Sequence, residues 1–386
     1  MSDFVFNFPK QLICKPGSAK ELGDICLRTI GKRVLVVTDQ GIVNAGLLQP
    51  VLDTLKAAGV DALVFDQVLA DPAASIVLTA TEQAISAGID GVIGLGGGSS
   101  MDVAKLVALL AKGEETLDEI YGVNMVKGQR LPLIQIPTTA GTGSEVTAVS
   151  IITVGEGEKK GVVSSQLLPD LALLDAELTL GLPSMVTATT GVDAMVHAIE
   201  AYTSASPNHN LISDASAKEA LLLLGANIES AVHDGSDLQV RSNMLLGSML
   251  AGQAFANSPV AAVHALAYPL GGIYHLPHGL TNALVLPHVM RFNQSACAEQ
   301  YAELAPLVFP RLANITDVAE RSHAFIEGLD QLNRSLGILP RLRDYDIEES
   351  AITVLAQDAM KQTRLLVNNP REVTLEDATA IYQAAW

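Results

Sequence analysis

The chain has 386 residues, 49% of them hydrophobic and 17% charged, with a formal net charge of −18. That length exceeds what one core usually serves, so two domains are expected, and the composition excludes a disordered chain. The negative field repels phosphate backbones, which removes nucleic acid from the expected partners.

The N-terminal stretch "MSDFVFNFPK" carries no basic leader ahead of an apolar core. Short β-branched runs follow, at "RVLVVT" (33–38), "DALVFD" (61–66), "GVIGLG" (91–96) and "PLIQIP" (132–137), each a buried-strand pattern. Helical patterns fall between them, near 44–58, 75–87 and 100–112. This alternation predicts a doubly wound, mostly parallel α/β sheet, with "LALLD" (171–175) as its last strand. After about residue 180 the β-rich runs stop, and "KEALLLLGANIESAV", "RSNMLLGSMLAGQAF" and "AAVHALAYPLG" read as helices. The expected division is therefore an α/β domain over 1–180 and an all-helical domain over 181–386, with the boundary near "LTLGLPS" (178–184). No apolar run reaches the ~20 residues of a membrane span. Cys14, Cys26 and Cys297 have neither a disulfide-framework nor a metal-ligand spacing. A reducing compartment fits, and the expected location is cytoplasmic.

Four stretches and one further residue, Asp39, carry chemistry. In "GLGGGSSMDVAK" (94–105) a buried strand ends in three glycines before a helix opens. Glycine admits a diphosphate close to the backbone, and the helix start offers free N–H donors. The same residues also make an ordinary tight turn with a serine cap, and the pattern is neither G-x-G-x-x-G nor a P-loop. Asp39, after the first strand, is placed to accept from a ribose hydroxyl and to repel a 2′-phosphate, or is a plain loop aspartate. "PTTAGTGSE" (137–145) lines a nucleotide pocket or makes a turn. In "TGVDAMVHAIEAY" (190–202), Asp193 and His197 are four apart on one helix face, so they either share a cation or pair with each other. "VHALAYPLGGIYHLPHGL" (263–280) then adds His264, His275 and His278, three of the eight histidines. Imidazoles among apolar residues need partners, and with a carboxylate they make a donor set for Fe²⁺ or Zn²⁺ that ligand type alone does not separate.

Together these motifs resemble the iron-containing, group III alcohol dehydrogenases, in order and over essentially the whole chain, from "VTDQG" to "NNPREVTLEDATAIY" (368–382). The resemblance implies a dehydroquinate synthase-like fold, with an N-terminal dinucleotide-binding domain and a helical metal-binding, catalytic domain. It implies Asp193, His197, His264 and His278 as ligands of Fe²⁺, with Zn²⁺ as the alternative. It puts Gly97, Gly98 and Ser99 on the NAD diphosphate, and Thr138, Thr139, Thr142, Thr147 and Lys160 along the rest of the cofactor site. Asp39 takes the position that favours NAD over NADP. The implied reaction is hydride transfer between an alcohol, activated by a Lewis-acidic ion, and the nicotinamide. The small-molecule partner is thus an alcohol or aldehyde, and a homodimer is implied. Where several members have a second histidine four residues after the third ligand, this chain has Tyr268, a poorer proton acceptor than imidazole. The relay role falls to His275 or to Tyr268; Tyr268 alternatively only packs, and if neither residue acts, water carries the proton. A hydroxyacid–oxoacid oxidoreductase or transhydrogenase on the same fold is the alternative, with Arg364 as a possible carboxylate anchor. A dehydroquinate synthase-like lyase would want a more basic pocket.

Overall fold

The computed structural model describes residues 3–155 and 158–386, so the N-terminal reading begins with two residues, Met1 and Ser2, that lie outside the described ones. The chain divides into two compact units, Asn7–Gly181 and Leu182–Trp386, the second joined by the N-terminal segment up to Phe6. That segment is tied to its unit through Val5, whose N–H donates to Asn208 Oδ1 (2.9 Å) and whose carbonyl accepts from Asn208 Nδ2 (2.9 Å).

The first unit is built on six parallel strands: β1 (Gln11–Cys14), β2 (Arg33–Asp39), β3 (Asp61–Val68), β4 (Gly91–Gly96), β6 (Leu133–Pro137) and β9 (Leu171–Leu174), in the spatial order β1-β9-β6-β4-β2-β3. The helices between them are α1 (Leu22–Thr29), α2 (Gln40–Asn44), α3 (Leu48–Ala57), α4 (Ala74–Ala87) and α5 (Gly98–Leu110). Every residue of β4, β6 and β9 is buried, as continuous apolar strands covered on both faces should be. The period of two decides which face each side chain enters. Val34, Val36, Ile93 and Leu95 join Leu22, Ile25, Val51 and Leu55 of α1 and α3. Leu35, Val37 and Val92 pack instead with Val77 and Ala80 of α4 and Val103 and Leu106 of α5.

The order also locates a site. The chain leaves β2 toward β3 on one side, then returns to place β4 on the other. The carboxyl ends of β2 and β4 therefore flank a topological switch point, where open α/β sheets bind ligands. Asp39 ends one strand and Gly96 the other.

Two features differ from the expectation. The helical stretch expected near 44–58 starts only at Leu48, as α3, because Gly46 takes a left-handed φ of 73° and separates it from the short α2. A second sheet of three strands, β5 (Gly122–Val123), β7 (Val149–Val154) and β8 (Glu158–Val163), in the order β5-β8-β7, went unseen. β5 has two residues, β8 carries two lysines in "EKKGVV", and β7, "VSIITV", is only partly buried.

The second unit is helical among its described residues: α6 (Ser184–Thr203), α7 (Leu211–His233), α8 (Leu238–Asn257), α9 (Ala262–Tyr274), α10 (His278–Val308), α11 (Val318–Ser335), α12 (Ile352–Ala359), α13 (Thr363–Leu366) and α14 (Leu375–Ala385). α6 packs against α7, α8 and α10 and is buried on all sides from Gly191 to Thr203. A helix enclosed in this way should be apolar all round, so each polar side chain on it requires a partner. Asp193, His197 and Glu200 are such side chains. α10 approaches α6 at Gly279, where a Cβ would lie 2.4 Å from the Thr189 carbonyl oxygen. Only glycine permits that approach, which sets His278 beside Asp193.

Candidate metal centre and nucleotide site

Asp193 and His197 come from α6, His264 from α9 and His278 from the first position of α10. Each offers one ligand atom, and these atoms lie within 4.8 Å of one another. Asp193 Oδ1 is 3.8 Å from His278 Nε2 and 4.0 Å from His264 Nε2. The His197 ring stacks on Phe255 of α8 (4.3 Å between centroids, 22°) and on His264 (4.8 Å, 24°). The His264 and His278 rings are 5.4 Å apart and tilted, and the Tyr268 ring follows 5.9 Å from His278. Asp193, His197 and His264 are buried, whereas the His278 side chain is 42% exposed, which gives the cluster one open side.

Burial by itself would raise the Asp193 carboxyl. The imidazoles of His197, His278 and His264 and a hydrogen bond from Asn282 outweigh it, and the group is held below the usual carboxylate range. The donor chemistry fits a divalent transition ion: one carboxylate oxygen and three imidazole nitrogens, converging where water is mostly excluded. Asn282 adds to this. Its Nδ2 donates to Asp193 Oδ1 (2.6 Å) and lies 3.2–3.3 Å from Nε2 of His278 and His264, while its Oδ1 is buried without a hydrogen-bond partner. The cluster thus holds acceptor capacity that its own donors do not fill.

Two residues at this centre escaped the sequence reading. Glu200, 4% exposed, accepts from the Val263 backbone N–H (2.7 Å) and contacts His264 Nδ1 (2.6 Å). Asn282 stands four residues after His278. Both were within reach of the helical period, Glu200 at three and seven residues from two ligands and Asn282 at four from a third.

At the switch point, Asp39 caps α2 by accepting from the Ile42 N–H (3.1 Å) through Oδ1, and its Oδ2 accepts from Ser100 Oγ (2.9 Å). The carboxylate is thereby tied to the start of α5, where Gly97 is the cap and Gly98 and Ser99 are the first two residues. Gly96 turns the chain there with φ 150°, and a Cβ on it would meet Ser100 Oγ at 2.8 Å and Asp39 Oδ2 at 3.1 Å. Thr139 and Thr142 flank the turn, at 3.7 Å from a Cβ on Gly97 and 2.9 Å from one on Gly98. Thr138 follows β6, its N–H donating to the Gly96 carbonyl (3.0 Å). Thr147 is buried and receives a hydrogen bond from Lys105 Nζ (3.1 Å). Lys105, also missed, is fully buried and donates to Ser144 Oγ (2.8 Å) and the Val149 carbonyl (2.6 Å), joining α5 to the loop that follows β6. Lys160 lies on β8, its ammonium 5.3 Å over the Tyr121 ring. His275 caps the end of α9 in a left-handed conformation (φ 55°), with an exposed side chain outside the four-residue cluster.

Comparison with known proteins identifies the family. Residues 9–176 match the iron-containing alcohol dehydrogenase family model, and residues 187–386 match that of the C-terminal part of the Fe-containing alcohol dehydrogenases. Long-chain-alcohol dehydrogenase 1 of Geobacillus thermodenitrificans (strain NG80-2) is 39% identical over 96% of this chain and 93% of its own. The solved 1,3-propanediol oxidoreductase superposes with a TM-score of 0.95 at 34% identity, covering 100% of both chains. The sulfoacetaldehyde reductase from Bifidobacterium kashiwanohense, solved with NAD⁺, gives a TM-score of 0.88 at 29% identity over 100% of this chain and 99% of that one. With both parts matched in order and the metal-type cluster in the second, the chain belongs to the iron-containing alcohol dehydrogenase family.

Proposed function

We propose that Asp193, His197, His264 and His278 hold one divalent ion, Fe²⁺ or in its place Zn²⁺, at the catalytic centre of an NAD(H)-dependent alcohol dehydrogenase. As a member of its family the chain interconverts an alcohol and an aldehyde or ketone. The observation that carries the site assignment is the convergence of one carboxylate and three imidazoles from three helices. When bound, the ion supplies Lewis acidity at the substrate C–O oxygen, and NAD(H) supplies the hydride acceptor or donor.

The chain's own residues do the rest. Asp193 contributes the negative charge that three neutral imidazoles lack. Gly97, Gly98 and Ser99 present the N–H groups of the α5 start to the diphosphate, and Thr138, Thr139, Thr142, Thr147 and Lys160 complete the cofactor site. Asp39 receives the adenosine ribose hydroxyls and repels a 2′-phosphate. Tyr268, its ring beside His278, carries the hydroxyl proton, and His275 is the second candidate for that transfer. On this reading the first unit binds the dinucleotide and the second the metal.

The relatives are named for small and long-chain alcohols and aldehydes, so an alcohol or aldehyde is the proposed substrate class. A cytoplasmic homodimer is the proposed setting. The family resemblance supports the dimer, and three free cysteines support the compartment. No helix among the described residues is long and apolar enough to cross a membrane. The test is NADH oxidation with a panel of aldehydes and oxoacids after loading with Fe²⁺ or Zn²⁺. Turnover of aldehydes that chelation abolishes is expected; turnover of none of them, or turnover indifferent to chelation, refutes the reading.

A further inference from the structure

We infer that Glu200 sets which ring nitrogen of His264 is offered to the metal, as a positioning residue for the centre proposed above, on which this inference rests. Glu200 lies three residues after His197 and seven after Asp193, on the same face of α6 as both. Its two oxygens have separate partners. Oε1 accepts from the Val263 N–H at 2.7 Å, and Oε2 meets His264 Nδ1 at 2.6 Å. A carboxylate has no hydrogen to give, so the short contact to Nδ1 requires that nitrogen to carry the ring hydrogen. In a neutral ring Nε2 is then the bare nitrogen, and it is the one that faces Asp193 Oδ1 (4.0 Å) and the donating Asn282 Nδ2 (3.3 Å).

The bond to Val263 keeps the carboxylate in place. Val263 is in the first turn of α9, where backbone N–H groups have no partner within the helix and the dipole favours a negative charge. One side chain of α6 therefore docks the start of α9 and fixes the tautomer of a ligand borne one residue later. Carboxylates behind metal-bound imidazoles commonly change affinity or activity by roughly 10- to 100-fold.

The glutamine variant separates this role from a merely structural one. An amide has one accepting and one donating end. If its oxygen stays on the Val263 N–H, its NH₂ faces Nδ1, the ring hydrogen moves to Nε2, and a proton points into the cluster. If the amide is reversed, Val263 loses its acceptor. Glu200→Ala leaves the ring free to choose either tautomer. Glu200→Gln should therefore impair metal binding more than Glu200→Ala, although glutamine is closer in shape. A structural role gives the opposite order.

The experiment uses the full chain, stripped by chelation and titrated with Zn²⁺ by calorimetry, with ¹⁵N NMR of the histidine ring nitrogens in the stripped wild type. We expect His264 as the Nδ1–H tautomer, Zn²⁺ affinity reduced roughly tenfold in Glu200→Ala and roughly 100-fold in Glu200→Gln. An Nε2–H tautomer in the wild type, or Glu200→Gln binding within twofold of wild type or better than Glu200→Ala, overturns the inference. The wild-type tautomer decides the matter if a variant does not fold. Failure of the wild type itself to bind Zn²⁺ or Fe²⁺ at His264 refutes instead the metal reading beneath it.

Discussion

Two buried carboxylates in this molecule meet opposite fates. Asp193, in the helical unit, is held below the usual range because three imidazoles and an amide outweigh its burial. Glu145, in the loop after β6, is equally enclosed, and burial pushes it up to about 7 against a backbone hydrogen bond and the charge of Lys105. One site gathers enough opposing polarity to keep a charge; the other does not. On the proposed function, the difference separates a centre whose side chains would hold a cation from a region whose ligand would be met mainly by backbone N–H groups and small hydroxyls.

Removing the charge should have the largest effect. Asp193→Asn is expected to lower turnover by roughly three orders of magnitude or more, with metal content falling in parallel, since the set loses its only anion. Elemental analysis beside steady-state kinetics checks this; retained metal with retained turnover would erase the contrast. Tyr268→Phe should cost about 10²-fold in kcat and reshape the pH profile with metal content intact. Should His275→Ala do so instead, the proton passes through the end of α9.

The glycine turn is the counterpart test. Gly96→Ala puts a methyl against Ser100 and Asp39 and asks an L-residue to adopt φ 150°. Strain of about 1–3 kcal/mol should weaken NADH binding by roughly 10- to 100-fold while leaving metal content unchanged, as read by fluorescence titration. Asp39→Gly should shift the NADH-to-NADPH preference by about tenfold toward NADPH, and a wild type that already prefers NADPH would contradict the role given to Asp39.

The last contrast is read in stability. The folded-state value of Glu145 lies above its unfolded one, so its contribution is fully present below about pH 4.5 and is lost as pH rises through about 7. Glu145→Gln removes that loss. Its stability relative to wild type should climb by on the order of 2–3 kcal/mol between pH 4.5 and 7 in urea unfolding, then level off. A flat difference would show that Lys105 neutralises Glu145 as thoroughly as the imidazoles serve Asp193.

What the sequence disclosed follows from the same contrast. β2, β4, β6 and β9 were legible because a strand buried on both faces must be a continuous apolar run. β7 and β8 were not, because their burial is partial and β8 carries Lys159 and Lys160. Asp193 and His197 announced themselves as polar residues one turn apart in an apolar helix. His264 and His278 were visible only as histidines in an apolar stretch, and the chain resemblance was needed to choose them over His275. Glu200 was not singled out, since nothing in "HAIEAY" tells that α6 is enclosed on all sides. Lys105, inside "GLGGGSSMDVAK", was not singled out either, since nothing local tells that it is buried. Burial of a charged residue is set by its partners, and those partners lie far away in the chain: Glu200 contacts His264 across 64 residues and Lys105 contacts Thr147 across 42.

On the proposed function, four side chains from three helices act as one metal centre. The most direct measurement is the metal content and turnover of His264→Ala beside wild type, each loaded with Fe²⁺ or Zn²⁺ under the same conditions. About one ion per wild-type chain is expected, with most of it missing from the variant, activity nearly abolished and NADH binding retained. A His264→Ala protein with full metal content and normal turnover would mean that Asp193, His197, His264 and His278 are a buried polar cluster and that the chemistry happens elsewhere.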